Sequence, residues 1–293
     1  MLPFSTQFST LRTSGLPPGL QLAVGGATQR GANHISMQDA SGLLVSQRCV
    51  IGVVCDGCSS GHRDSERPGV ASSNEVGARL LATMIPPMMV QLLSRRPTLE
   101  QLLLDRLAST LRTRLKKIVA ASSDGHRPAR ERFIFDYLMT TILVTVFTDR
   151  EYVVFGKGDG IFGVNANITE LEDETGHYFA SALFSPSTNG RIPARRDRGN
   201  FRIHARGSVS GVKNIIIGTD GMLDIHRADG SLLSRFMDSS PSIEQVVDGI
   251  DALLQEFRRA LMSAKIGEDR IKDDATFVVF RRPLGTEAQS SFG

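Results

Sequence analysis

The sequence lacks the features that mark several whole classes of protein. No apolar run reaches the roughly 18 residues that a membrane span requires. The first twenty residues, MLPFSTQFSTLRTSGLPPGL, have no charged start followed by the uninterrupted apolar stretch of a secretory signal. Lys and Arg number 34 against 31 Asp and Glu, a net charge of +3, and no block of five or six like charges is present to meet a nucleic-acid backbone. Cysteine occurs only as Cys49, Cys55 and Cys58, an odd and crowded set that cannot build a disulfide framework. His126, His177, His204 and His226 show no zinc-ligand spacing. Internal repeats and low-complexity tracts are missing too. The expectation left standing is a soluble protein of the reducing cytoplasm, with no nucleic-acid partner and no membrane association.

What is present suffices for a packed core. The 293 residues are 41% hydrophobic and 22% charged, within the globular range and close to the length, roughly 250 to 300 residues, at which one core stops growing. We expect one domain over residues 21–282, between polar flanks at 1–20 and 283–293 that have little to bury and should be flexible.

The pattern begins with short strands in QLAVGGA, SGLLVSQ and CVIGVVC. Because VIGVV is apolar throughout, it belongs in a sheet covered on both faces. A helix follows from Ser72 and Ser73 through Val76, Leu80, Leu81 and Met84, with Pro86 and Pro87 interrupting or restarting it. The clearest helix starts at Thr98, where Leu99, Leu103, Leu107, Leu111, Leu115 and Ile118 recur at spacings of three and four. Its polar face carries Arg106, Arg112, Arg114, Lys116 and Lys117, a pattern more often solvated than binding.

Strands return in YLMTTILVTVFT, EYVVFGK and GIFGVNANI, separated by TDR and GDG turns. Residues 181–200 are polar, rich in Arg and Pro, and read as a long surface loop that should act as a substrate-selecting flap. FRIHARG, VKNIIIG and ATFVVF supply three more strands, with a helix over 242–265 before the last. Strands and helices in segregated blocks predict an α+β layered fold with antiparallel sheets.

The acids stand at the ends of these strands. Asp39 precedes one, Asp56 ends CVIGVVCDG, Asp159 sits in GKGDG, Asp220 ends NIIIGTDG, and Asp273 and Asp274 precede ATFVVF. Asp-Gly pairs are ordinary turn residues, which suffices for Asp124 and Asp229. Asp56 and Asp220 differ, because each closes a fully apolar strand and is followed by small residues that allow a ligand close to the backbone. Buried carboxylates repel one another unless a cation offsets their charge, and oxygen ligands without a His-Cys set suit magnesium or manganese.

The ordered set NHISMQDA, VIGVVCDGCSSGH, GKGDGIFG, IIIGTDGMLD and KDDATFVVF resembles the metal-dependent type 2C serine/threonine protein phosphatases, especially their compact bacterial branch. The resemblance implies a four-layer α-β-β-α sandwich, two central antiparallel sheets flanked by helix pairs, with a metal centre in a cleft at one end. It implies two Mg2+ or Mn2+ ions, and in some members a third, looser one. Asp56 matches the carboxylate bridging two metals, the Gly57 carbonyl a further ligand, and Asp220 and Asp274 ligands of the first metal. Asp39 matches an acid that holds metal-bound water, while Asp159 and Asp224 resemble residues binding the third ion. The implied reaction is hydrolysis of phosphoserine or phosphothreonine in a phosphorylated protein by a two-metal-activated water. A Ser/Thr kinase would then be the functional partner, and the setting would be signal transduction.

Three positions depart from that pattern. Gln38 stands where many members have a metal-ligating Glu, and its amide oxygen coordinates without bringing charge. Cys58 stands where many have a His proposed as general acid, a role that His62 could take. His34 replaces a phosphate-binding Arg, for which Arg30 or an Arg of the loop around Arg191 to Arg198 could substitute. These departures favour one alternative, a catalytically weak or inactive phosphatase-like module that binds metal or a phosphorylated partner. A redox role for the C-x-x-C pair Cys55 and Cys58 requires a following helix N-terminus, which the sequence does not offer.

Overall fold

In the computed structural model the described residues are 7–12, 16–17, 20–31, 37–58, 73–123, 126–172, 178–183, 200–228, 233 and 273–282. They form two stacked antiparallel sheets. One has six strands in the order β1 (Gln7–Arg12), β2 (Ala23–Gln29), β11 (Ala275–Arg281), β10 (Asn214–Gly218), β7 (Gly160–Val164) and β8 (Asn167–Leu171). The other has five, in the order β3 (Ala40–Val45), β4 (Val50–Gly57), β5 (Thr140–Phe147), β6 (Glu151–Lys157) and β9 (Arg202–Ser208).

The apolar runs explain the stacking. Along β4, Ile51, Val53 and Cys55 face a helical layer while Val50 and Val54 face the other sheet, so both sides of the strand are buried. Between the sheets, Phe147 and Phe280 meet with ring centroids 5.1 Å apart, among Val24, Val154, Ile215 and Ile217. Helices α1 (Glu75–Arg95), α2 (Gln101–Ser122) and α3 (Arg127–Tyr137) cover the five-stranded sheet. The short α4 (Gly221–Ala228) packs on the six-stranded one through Met222, Leu223 and Ile225. The expected α-β-β-α order is therefore present. The helix expected over 242–265 lies outside the described residues.

Several local expectations change. The opening segment is not wholly loose: β1 pairs with β2 in register from Gln7 opposite Thr28 to Arg12 opposite Ala23. GIFGVNANI is a hairpin, not one strand, because Asn165 takes a left-handed φ of 55°, which Asn tolerates, and turns the chain from β7 into β8. Helix α3 had no clear periodic signal, and only Ile134 within it is fully buried.

Helix α1 runs unbroken through Pro86 and Pro87. Proline at 86 removes the amide hydrogen that would reach the carbonyl of Ala82. That carbonyl faces β3 at Gly42, where an added Cβ would come within 2.1 Å of the oxygen. A bare glycine thus admits the helix against the strand at the turn the prolines loosen. By length and composition α1 could cross a membrane, which the search for apolar runs did not register. In the fold half of its most apolar window is buried, with Leu81, Ile85 and Met89 fully enclosed against the sheet.

Candidate active site

The antiparallel connections bring one end of each sheet together, and the acids lie there. Asp56 is the penultimate residue of β4, Asp220 lies two residues past the end of β10, and Asp273 and Asp274 immediately precede β11. The turn from β6 to β7 crosses between the sheets and carries Asp159. Gly158 and Gly160 flank it with φ of 102° and 135°, conformations open to glycine at little cost. A Cβ at Gly158 would also strike the Thr141 side chain at 2.6 Å.

The charges in this cluster oppose one another. Burial raises the Asp56 carboxyl well above the usual carboxylate range, and Asp220, Asp273 and Asp159 push it further, against a hydrogen bond with Asp39. Asp39 is raised well above that range too, first by burial and then by Asp56, while the Thr219 side chain works the other way. Asp220 is pushed up to about 7 by burial and by Asp273 and Asp159, with Asp224 adding to the effect. Seven carboxylates sense one another here, Asp274 through Asp39 and Asp224 through Asp220 among them, as groups prepared for a cation do.

The two neighbouring acids before β11 behave differently. Asp274 is committed to the backbone: Oδ1 accepts the Gly31 amide at 2.6 Å and Oδ2 accepts the Gln38 amide. It thereby ties the end of β2 to the approach to β3. Asp273 is the one whose charge bears on Asp56 and Asp220. Asp273 Oδ1 accepts the Asp274 amide at 2.8 Å, and the charge of Asp274 bears on Asp39.

Asp39 is held by Thr219, whose hydroxyl donates to Oδ2 at 2.7 Å and accepts the Thr276 amide at 3.0 Å. Among fixed donors none reaches Gln38 Oε1, Asp39 Oδ1 or Asp220 Oδ1, all three buried. Such orphaned oxygens, in mutually repelling company, fit hard divalent cations. Among the described residues no three His, Cys, Asp or Glu side chains are grouped so as to hold a metal ion.

Of the other residues singled out in the sequence, Asp224 lies exposed in the first turn of α4. Arg30 is half-buried beside Gly31, next to Asp274. His34 and His62 lie outside the described residues. Cys55 and Cys58 are free thiols, and Cys55 is fully buried, with its thiol pushed well up by burial, Asp39 and Asp56. That environment suppresses thiolate and removes the redox reading. Cys58 instead shares a hydrogen bond with Tyr178, whose phenol is raised by burial and by Cys58, Asp56 and Asp159.

Asn74, Thr219, Tyr178 and the central role of Asp273 were not read from the sequence. Asn74 is buried at the start of α1, where Nδ2 donates to the Cys58 carbonyl at 2.8 Å and Oδ1 accepts the Met139 amide at 3.0 Å. Gly57 packs so tightly on it that a Cβ there would meet the Asn74 carbonyl carbon at 2.7 Å and the Gln38 carbonyl oxygen at 2.8 Å. The residue after a strand-end Asp-Gly pair needs its backbone satisfied, a signal that a buried amide lies nearby without saying which.

Of the loop expected over 181–200 as a flap, residues 184–199 lie outside the described residues. Phe179 and Phe201 stack at 5.2 Å and anchor its two ends on the core.

The described residues form a six-on-five sandwich with acids at one end, and comparison with known proteins gives the family. Residues 28–267 match the family model described as protein phosphatase 2C. The chain belongs to that family and is a protein phosphatase by descent. Among solved structures, a serine-threonine phosphatase 2C from Toxoplasma gondii is similar in fold, with a TM-score of 0.54 and 12% identity. It covers 94% of this chain and 99% of its own. A point variant of a bacterial serine phosphatase aligns with a TM-score of 0.53 and 18% identity over 96% of this chain and 98% of its own. No curated protein matches by sequence.

Proposed function

We propose that the chain hydrolyses phosphoserine and phosphothreonine esters in proteins with the help of two divalent ions, magnesium or manganese. The observation that carries this reading is the mutual opposition of Asp39, Asp56, Asp159, Asp220 and Asp273 at one end of the sandwich. Asp56, Asp220, Asp273 and the Gly57 carbonyl would hold the ions, with Gln38 as a neutral oxygen donor and Asp159 and Asp224 near a third, looser position. Asp273 takes the part that the sequence pattern gave to Asp274, because the oxygens of Asp274 already accept two backbone amides. When bound, the ions would supply an activated water and offset charge on the phosphoryl oxygens.

The chain's own residues do the positioning. Thr219 fixes the orientation of Asp39, leaving Oδ1 to take a proton or hold a water. Asp274 keeps Gly31 and Gln38 at the rim, with Arg30 beside them for the substrate phosphate. His34 and His62 remain candidates for phosphate binding and leaving-group protonation. Such an enzyme implies a Ser/Thr kinase that makes its substrate.

Hydrolysis of p-nitrophenyl phosphate and of a phosphothreonine peptide should appear on adding manganese and vanish in EDTA. If calorimetry shows manganese uptake without turnover of either substrate, the chain is a metal-binding phosphatase-like module and the enzymatic reading fails.

Asn74 should act as a positioning residue for Gly57. Asn74→Ala removes the donor to the Cys58 carbonyl and leaves the buried Met139 amide without its side-chain acceptor, a cost of about 1–3 kcal/mol for that amide, so the melting temperature should fall by several degrees. Manganese affinity by calorimetry should also weaken, on the order of fivefold or more, in the folded variant. Unchanged affinity in a folded Asn74→Ala protein would show that Asn74 supports the fold alone.

A further inference from the structure

The far end of α1 carries a second charged feature, opposite in sign to the acidic centre. Residues 75–123, which include α1 and α2, hold eight Lys or Arg against three Asp or Glu, a net +5 in a chain whose total is +3. Three of the guanidiniums, Arg95, Arg96 and Arg106, line one groove of about 240 Å3 between the C-terminal end of α1 and the outer face of α2, with Leu103, Ser109 and Thr110. No carboxylate lines this groove. The ion pairs among the described residues involve none of these arginines.

The helix dipoles do not account for the cluster. The C-terminal carbonyls of α1 favour Arg95 in its last turn, but Arg96 lies past the helix end. Arg106 lies in the second turn of α2, nearer the electropositive end. Three like charges around a concave space repel one another, and a ligand bringing negative charge relieves that repulsion. Guanidinium forks match phosphate oxygens in geometry as well as charge. The groove has no aromatic side chain on which a nucleobase could stack. Large exposed hydrophobic residues on the described surface are confined to Val76, Leu102 and Tyr137, too few and too scattered to insert into a bilayer.

Because α1 begins against Gly57 and runs 21 residues, the groove lies about 30 Å from the acidic centre. An anion there is not the one being hydrolysed. We propose that the groove between α1 and α2 docks a second phosphorylated segment of the protein substrate, a reading that rests on the phosphatase function above. It would add affinity for multiply phosphorylated proteins without entering the chemistry.

The test uses the whole chain and the variants Arg95→Glu/Arg106→Glu and Arg95→Gln/Arg106→Gln, all at exposed positions. Binding of a fluorescein-labelled peptide with two phosphoserines is measured by anisotropy in EDTA, where turnover is absent and the acidic centre repels the probe. The charge reversal should weaken binding at least about tenfold and the neutral pair less. With manganese, kcat/KM for phosphorylated casein should fall about fivefold to tenfold through KM, while that for p-nitrophenyl phosphate stays within about twofold. Equal peptide binding by wild type and both variants overturns the proposal. So does tighter binding of phosphatidylserine vesicles or a short RNA than of the peptide. If wild type fails to hydrolyse p-nitrophenyl phosphate but peptide binding still depends on the arginines, the groove stands and the catalytic reading falls.

Discussion

Asp56→Asn is expected to lower manganese-dependent hydrolysis of p-nitrophenyl phosphate by at least about 10³-fold while raising the melting temperature of the metal-free protein. The two effects have one cause. Asp56 lies where burial and the charges of Asp220, Asp273 and Asp159 all oppose its ionisation, so its carboxylate is a cost to the empty fold. It is the one half-buried residue of a strand otherwise buried on both faces. Asparagine has nearly the same shape and no charge, which relieves the repulsion but removes the ligand proposed to be shared by both ions. Activity assays paired with thermal unfolding in EDTA read both arms. A variant that loses activity and also loses stability would show that Asp56 holds the fold together and is not a charge stored for a cation.

The second large effect is on the pH dependence of stability. Asp220 has its pKa pushed up to about 7, and Asp39 and Asp56 are raised well above the usual range, with burial the first cause in each case. An acid whose folded pKa exceeds its unfolded value of about 4 binds more protons when folded, so its stabilising contribution is complete below that value. That contribution is lost as pH rises through the folded pKa. The metal-free protein should therefore melt lower at pH 8 than at pH 5. For Asp220 alone, the part of that loss falling between pH 5 and pH 8 is on the order of 2–3 kcal/mol, or roughly 5 °C for a chain of this size. Manganese at pH 8 should restore the loss, since it binds the ionised carboxylates of the folded state. Thermal melts at the two pH values, with EDTA and with manganese, check this. The same melting temperature at pH 5 and pH 8 in EDTA would sink the claim that these acids meet in the fold.

The same physics governs what could be read in advance. Strands such as EYVVFGK and the leucine-spaced helix were legible because burial imposes a period on their own residues: EYVVFGK is β6 from end to end, and Leu103, Leu107, Leu111 and Leu115 are all buried. Pro86 and Pro87 misled because the helix they loosen is admitted against the sheet by a residue 44 positions before Pro86, Gly42, which the sequence does not place beside them. Helix α3 was silent because so little of it is enclosed.

At the site the division is similar. The acids were visible as acids at strand ends, since an Asp that closes an apolar strand is unusual wherever the strand goes. Their convergence depended on pairings such as β10 with β7 and β11, which no residue announces alone. The proposed choice of Asp273 over Asp274 was out of reach for the same reason. It turns on which carboxylate meets the Gly31 and Gln38 amides, more than 230 positions distant.

The sequence by itself determined the layered α+β class, the strands, and the type of oxygen ligand available, because hydrophobic period and side-chain chemistry are properties of neighbours along the chain. Tertiary structure alone decided that α1 passes through two prolines, that Asn74 and Thr219 hold the site, and that three arginines share one groove. Those are contacts between distant segments, and their energies exist only once the sheets have brought the segments together.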